Sequence, residues 1–250
     1  MSTLSLAAVH TKFNLLETVR IPIAVIGSLA FPTLAFCLFV LPQRMVVDNP
    51  EFATAAVASM IVFAFMSAGL FSIGIDLAEQ RAKPWAPYLR TLPGAPAARI
   101  IGLMTATLIV AAVAMIPLLV IGGVFTAASP EPLDLLAAIG LVIVTAVPSA
   151  LIGVIIGTTC GPKAAIAVTQ VAMFLLAFGG GLFLPPVMFP EWLNVVSMTL
   201  PVRQAREIVV GTALGTGAPL WAVVGILAWT LVLGALAVWL YRRDEGRRYR

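Results

Sequence analysis

Charge is what this chain has least of. Only 10% of its 250 residues are Asp, Glu, Lys or Arg, against 61% hydrophobic. Soluble domains carry roughly a quarter charged residues, so the composition excludes an ordinary soluble domain. Histidine occurs once, at His10, and cysteine twice, at Cys37 and Cys160 in separate apolar stretches. Metal sites and disulfide frameworks need clustered ligands, so the cysteines read as small packing residues and His10 as a bystander. No G-x-x-x-x-G-K-[ST] phosphate loop is present. The nearest segment, Gly157-Thr-Thr-Cys-Gly161-Pro-Lys163, has proline where the second glycine must stand. HExxH and GxSxG are also missing. The reading is therefore no catalytic, metal or cofactor-binding residue on this chain, which is not an enzyme by itself.

What the chain does have is six long stretches without Asp, Glu, Lys, Arg or His: Ile21–Gln43, Phe52–Ile75, Ile100–Pro130, Leu135–Pro162, Ala164–Pro190 and Ile208–Tyr241. A helix needs about 20 apolar residues to cross a bilayer core of roughly 30 Å. The expectation is an all-α integral membrane protein with six transmembrane helices at about 21–43, 52–75, 100–127, 135–160, 164–186 and 220–241. The last stretch is too long for one span. Its start, Gly211 to Pro219, carries turn chemistry, and Trp221, Trp239 and Tyr241 then fall at the two ends of a span beginning near Leu220. Twenty residues precede the first span, which is longer than a typical signal-peptide apolar region, so it reads as a retained span. Pro32, Pro117 and Pro148 predict kinks, and Gly153/Gly157 and Gly179–Gly181 predict close helix approaches.

The formal net charge of +4 reflects topology rather than nucleic-acid binding. Lys12, Arg20, Arg81, Lys83, Arg90, Arg99, Lys163 and the tail arginines 242, 243, 247, 248 and 250 fall in alternate connecting segments. Only Arg44, Arg203 and Arg206 fall in the others. Cytoplasmic loops carry the basic excess, so both termini are expected in the cytoplasm.

Before the first span, Leu6, Val9, Phe13 and Leu16 recur at helical spacing, with His10, Lys12, Asn14, Glu17 and Arg20 mostly off that stripe. This predicts an interfacial amphipathic helix over 1–20, followed by a six-span domain over 21–250. The longest cytoplasmic loop runs from Asp76 to Arg99. Within it Trp85, Tyr88, Leu89 and Leu92 form one apolar face of a short helix stopped by Pro93 and Gly94. Such a face on a charged loop needs a partner, either the membrane surface or a groove on another protein. On the other side, Glu191 and Trp192 follow a Pro-rich apolar run. Leu193–Leu200 is too short to span, and Pro201 precedes a short helix with Arg203, Arg206 and Glu207. These pieces predict re-entrant or interfacial helices and an outer gate.

At these two loops the chain resembles the ABC-2 family of ABC-exporter permeases, and the resemblance covers nearly its whole length. Glu79-Gln-Arg81 followed by Tyr88-Leu-Arg-Thr-Leu-Pro93 is similar to the family's first cytoplasmic loop. Phe183–Pro190, Glu191-Trp192-Leu193 and Pro201 through Glu207 are similar to its outer loop, which is the more specific match. The chain departs from the pattern at residues 82–87, Ala-Lys-Pro-Trp-Ala-Pro, where relatives often have a Gly-Thr pair. The resemblance implies an ATPase-coupling helix carrying Glu79, Arg81, Trp85, Tyr88, Leu89, Arg90 and Leu92. It implies an outer gate with Glu191, Trp192, Pro201, Arg203, Arg206 and Glu207. The implied partners are two copies of a cytoplasmic ABC ATPase, which would hold ATP–Mg, and a second permease subunit, a copy or a paralogue. The implied location is the cytoplasmic (inner or plasma) membrane.

The expected function is the permease subunit of an ATP-driven exporter of an amphipathic substrate: a drug, lipid or hydrophobic peptide. The low aromatic content of 8% argues against a glycan. The alternatives are an ion-coupled secondary carrier and a non-transporting membrane scaffold or assembly protein. Ion-coupled carriers usually keep ionisable groups within the bundle, and the six stretches hold none.

Overall fold

A computed structural model describes residues 3–20, 22–84 and 96–247, and every regular element among them is helical. In chain order these are α1 (Thr3–Arg20), α2 (Pro22–Phe39), α3 (Arg44–Val47), α4 (Pro50–Ala68) and a π-helical turn (Gly69–Ile73). The turn runs directly into α5 (Gly74–Ala82). Then follow α6 (Pro96–Phe125), α7 (Pro132–Thr145), α8 (Val147–Thr159), α9 (Pro162–Gly179), a 3₁₀ turn (Pro186–Met188), α10 (Glu191–Thr199), α11 (Pro201–Ala213) and α12 (Leu220–Arg247).

Five helical stretches are long and apolar enough to cross a membrane: Pro50–Ala82, Ala98–Phe125, Pro132–Thr159, Pro162–Gly179 and Leu220–Leu240. The remaining expected span coincides with α2, whose segment Ala30–Phe39 is a shorter apolar helix. Several limits differ from the expected ones. The second span runs on to Ala82. The fifth helix stops at Gly179 rather than near 186, because the Gly180–Gly181 pair and Pro185–Pro186 turn the chain. Pro148 lacks an N–H and its ring crowds the carbonyl four residues back, which breaks the fourth span at Ala146. Turn chemistry begins at Leu214 rather than Gly211, where Gly215 and Gly217 hold positive φ of 70° and 82°.

The central post is α4 with its continuation through α5. Beyond Glu51 in its first turn the α4 sequence is apolar nearly all round, as a helix enclosed by others must be, whereas α5 carries Asp76, Glu79, Gln80 and Arg81. Met60, Phe63, Phe65, Met66, Leu70 and Ile73 are almost wholly buried. Around it pack α2, α6, α8 and α11, while α9 and α12 leave most of their surface exposed. Exposed apolar residues such as Val171, Leu175, Leu227 and Leu231 suit a lipid environment.

The post meets α8 across glycines. A Cβ on Gly69 would stand 3.0 Å from the Ala150 nitrogen, and one on Gly157 would stand 2.9 Å from the Gly74 oxygen. Small residues let two backbones approach this closely. Five residues of α-helix turn about 500°, which would aim Gly74 some 140° away from Gly69. The wider π turn winds this stretch less and keeps both glycines against α8.

The expected amphipathic helix is α1. Its stripe residues Val9, Phe13 and Leu16 are exposed, and its opposite face, with Ala7, His10 and Thr11, packs on α6 at Gly102. His10 therefore fills the contact that the missing Gly102 side chain allows, and the Thr11 hydroxyl donates to the Ala7 carbonyl at 2.9 Å.

Candidate functional site

The two expected site regions lie at opposite ends of the central post. At its α5 end, Glu79 is exposed and Arg81 half-buried. The Arg81 Nη1 donates to the Gly157 carbonyl at 2.8 Å, tying α5 to the end of α8. Arg99 Nη2 donates to Gln80 Oε1 at 2.6 Å, tying the start of α6 to the same element. Of the expected coupling residues, Trp85, Tyr88, Leu89, Arg90 and Leu92 lie outside the described residues. Beside this end, α1, α5 and α6 enclose a polar cleft of about 200 Å³, walled by Asn14, Glu17, Asp76, Glu79, Lys83 and Thr107.

Above the cleft is a larger, mostly apolar cavity of about 460 Å³. Phe31, Pro32, Phe71 and Ala114 form apolar walls, and Ser67 and Gln170 are among its few polar groups. Ser72, Asp76 and Val110 line both spaces, so the two adjoin. Apolar walls with sparse polar groups are what a pocket for an organic molecule requires.

At the other end, α11 is a 13-residue helix, about 20 Å long and too short to cross a bilayer. It is nonetheless buried on almost all sides against α4, α7 and α12. Arg203 and Arg206 are 7% and 8% exposed, and Glu207 is half-buried. Buried charges must be paired. Arg203 Nε lies 2.9 Å and Arg206 Nη1 2.7 Å from the same oxygen, Glu207 Oε1. Arg203 Nη1 also lies 3.4 Å from the Ser197 hydroxyl of α10. Burial pushes both guanidinium groups below the ordinary arginine pKa, and Glu207 draws them back. The trio lines a cavity of about 390 Å³ with Gln43, Glu51 and Asn194.

The structure thus unites three of the six expected gate residues. Pro201 is buried at the N1 position that starts α11. Glu191 and Trp192, on α10, are exposed and stand outside the cavity. Trp229 of α12 braces this region by donating from its indole N–H to the Thr199 carbonyl at 2.8 Å.

Between the two larger cavities stands an aromatic chain that sequence reasoning missed. Phe31 lines the apolar cavity, its ring centroid 5.7 Å from that of Phe63. Phe63 lies 4.8 Å from Phe183, which lines the α11 cavity. Phe39 and Phe178 complete the cluster at 4.9 and 5.2 Å from Phe183. Distances of 4.5–7 Å are those of favourable aromatic pairs. Three helices and the turn after α9 contribute these residues, so no local spacing announced them.

Long apolar helices wrapped on a buried central post define a multi-pass helical membrane protein. No protein-family model matches the chain. The chain is similar to the putative transport permease YvfS of Bacillus subtilis, with 23% identity over 228 residues, 89% of this chain and 91% of the relative. The permease resemblance read from two loops thus extends along almost the entire sequence.

Proposed function

We propose that this chain is the transmembrane permease subunit of an exporter that moves an amphipathic substrate and is powered by a separate ATPase. The whole-length similarity to a putative transport permease carries this reading. In it, α2 supplies the sixth span, both termini are cytoplasmic, and α10 and α11 are re-entrant elements at the outer face of the cytoplasmic membrane. The apolar cavity beside Phe31 receives the body of the substrate. The Phe31–Phe63–Phe183 chain separates it from the α11 cavity, which serves as the outlet. Trp85, Tyr88, Leu89, Arg90 and Leu92, which follow α5 in sequence and lie outside the described residues, make the ATPase-coupling contact together with Glu79 and Arg81. ATP–Mg sits on the partner, so this chain contributes no catalytic residue. Two permeases and two ATPase copies would complete the assembly.

The direct support for external energy is chemical. The six uncharged stretches hold no Asp, Glu, Lys, Arg or His for a coupling ion, and the charged groups of the second span, Asp76, Glu79 and Arg81, gather at its α5 end beside the polar cleft. The test is purification from the native host. The chain should bring down an ATPase, and replacing Trp85 and Leu92 together with Asp should abolish that association while membrane insertion persists. Purification without any ATPase overturns the reading in favour of an ion-coupled carrier or a scaffold.

A further inference from the structure

We propose that the α11 cavity binds the phosphate headgroup of an anionic lipid-like amphiphile on Arg203 and Arg206. The inference deepens the export reading and rests on it for the cavity's role as outlet. The buried charges of α11 do not balance. Two buried guanidinium groups share one carboxylate, and both approach the same oxygen, Glu207 Oε1. Arg206 Nε is buried and has no hydrogen-bond partner. An arginine stays protonated in a protein, so this donor cannot be relieved by losing its proton. A tetrahedral oxyanion accepts from several guanidinium N–H groups at once and fits that need.

The rest of the cavity suits a molecule with an apolar body. Val40, Phe52, Phe183, Pro186 and Val187 form its walls, and Phe52 and Val187 are strongly exposed at its rim. Glu51 also lines the cavity, from the first turn of α4, and is exposed. It repels a diffuse anion at the rim, so only an oxyanion reaching the arginines gains from the site. At about 390 Å³ the cavity holds a headgroup and the first part of a chain but not a whole lipid. The exposed rim leaves the remainder in the bilayer.

The test uses the chain delipidated in a neutral detergent and titrated with phosphatidylglycerol or with a diacylglycerol of the same acyl chains, which lacks the phosphate, with bound lipid counted by native mass spectrometry. Phosphatidylglycerol should bind about tenfold more tightly, the effect of one charge-assisted contact. E207Q frees both guanidinium groups and should strengthen that preference; R206Q should abolish it. The opposite signs matter, because a merely structural ion pair would make both variants worse. If R206Q does not fold, E207Q alone decides. Equal binding of the two lipids, or an E207Q preference that is weaker or unchanged, overturns the proposal. Millimolar inorganic phosphate should fail to displace phosphatidylglycerol; full displacement would overturn the lipid assignment in favour of a free phosphate. The chain is measured without an ATPase. A negative result here leaves the transport reading standing, and failure to recover an ATPase leaves this site standing.

Discussion

Replacing Gly153 with alanine adds one methyl group at the tightest point between α8 and the central post. That Cβ would press into the Gly69 carbonyl oxygen and stand 3.3 Å from the Ile73 Cβ. The Gly69 carbonyl is backbone and cannot rotate aside, so the helices must separate. Overpacking of this kind costs about 1–3 kcal/mol. Better helix propensity returns about 0.5–1 kcal/mol. Gly140 of α7 is the matched control, because a Cβ there meets nothing within 4 Å. Gly140→Ala should therefore stabilise by about 0.5–1 kcal/mol. The two variants should differ by the overpacking cost, about 1–3 kcal/mol, or roughly 2–12 °C in Tm at this chain length. Thermal unfolding of both purified variants in one detergent, followed by tryptophan fluorescence, reads the difference. Equal Tm values would refute the claim that backbone contact at these glycines holds α8 to the post.

Phe183→Leu should thin the aromatic partition while preserving burial. A fluorescent amphiphile held on one side of reconstituted vesicles should leak across several-fold faster than with the unmodified chain, and unchanged leakage would remove Phe183 from the barrier. Trp229→Phe deletes the 2.8 Å hydrogen bond to the Thr199 carbonyl and should lower stability by about 0.5–1.5 kcal/mol, measured as a Tm shift. The paired Asp substitution at Trp85 and Leu92 should leave this Tm in place while removing ATPase association, which separates a docking role from a packing one.

The uncharged stretches located the long helices because bilayer thickness and desolvation leave no other use for runs of that length. Gly153 and Gly157 were legible as contact points for the same reason that they now pack on Gly69 and Gly74. Helix ends were less legible. Hydropathy continues through Gly180–Phe189, yet two glycines and a proline pair end α9 at Gly179. The π turn left no mark, since it answers a contact with α8 that only the folded chain makes. Arg203 and Arg206 read as outer-loop charge. Their burial depends on Glu207 pairing from one and four residues away, an arrangement that spacing permits but does not announce. The Phe31–Phe63–Phe183 chain joins residues far apart in sequence and could be found only in three dimensions. The coupling-loop residues 85–95 remain a reading of their apolar spacing and family resemblance.

The central claim is that work enters this chain from a separate ATPase. The most direct measurement is movement of a fluorescent amphiphile across proteoliposomes containing the chain together with the ATPase recovered alongside it. Transport should require ATP and both proteins, and should stop when Trp85 and Leu92 are replaced by Asp. Transport by this chain alone, driven by an ion gradient and indifferent to ATP, would contradict it.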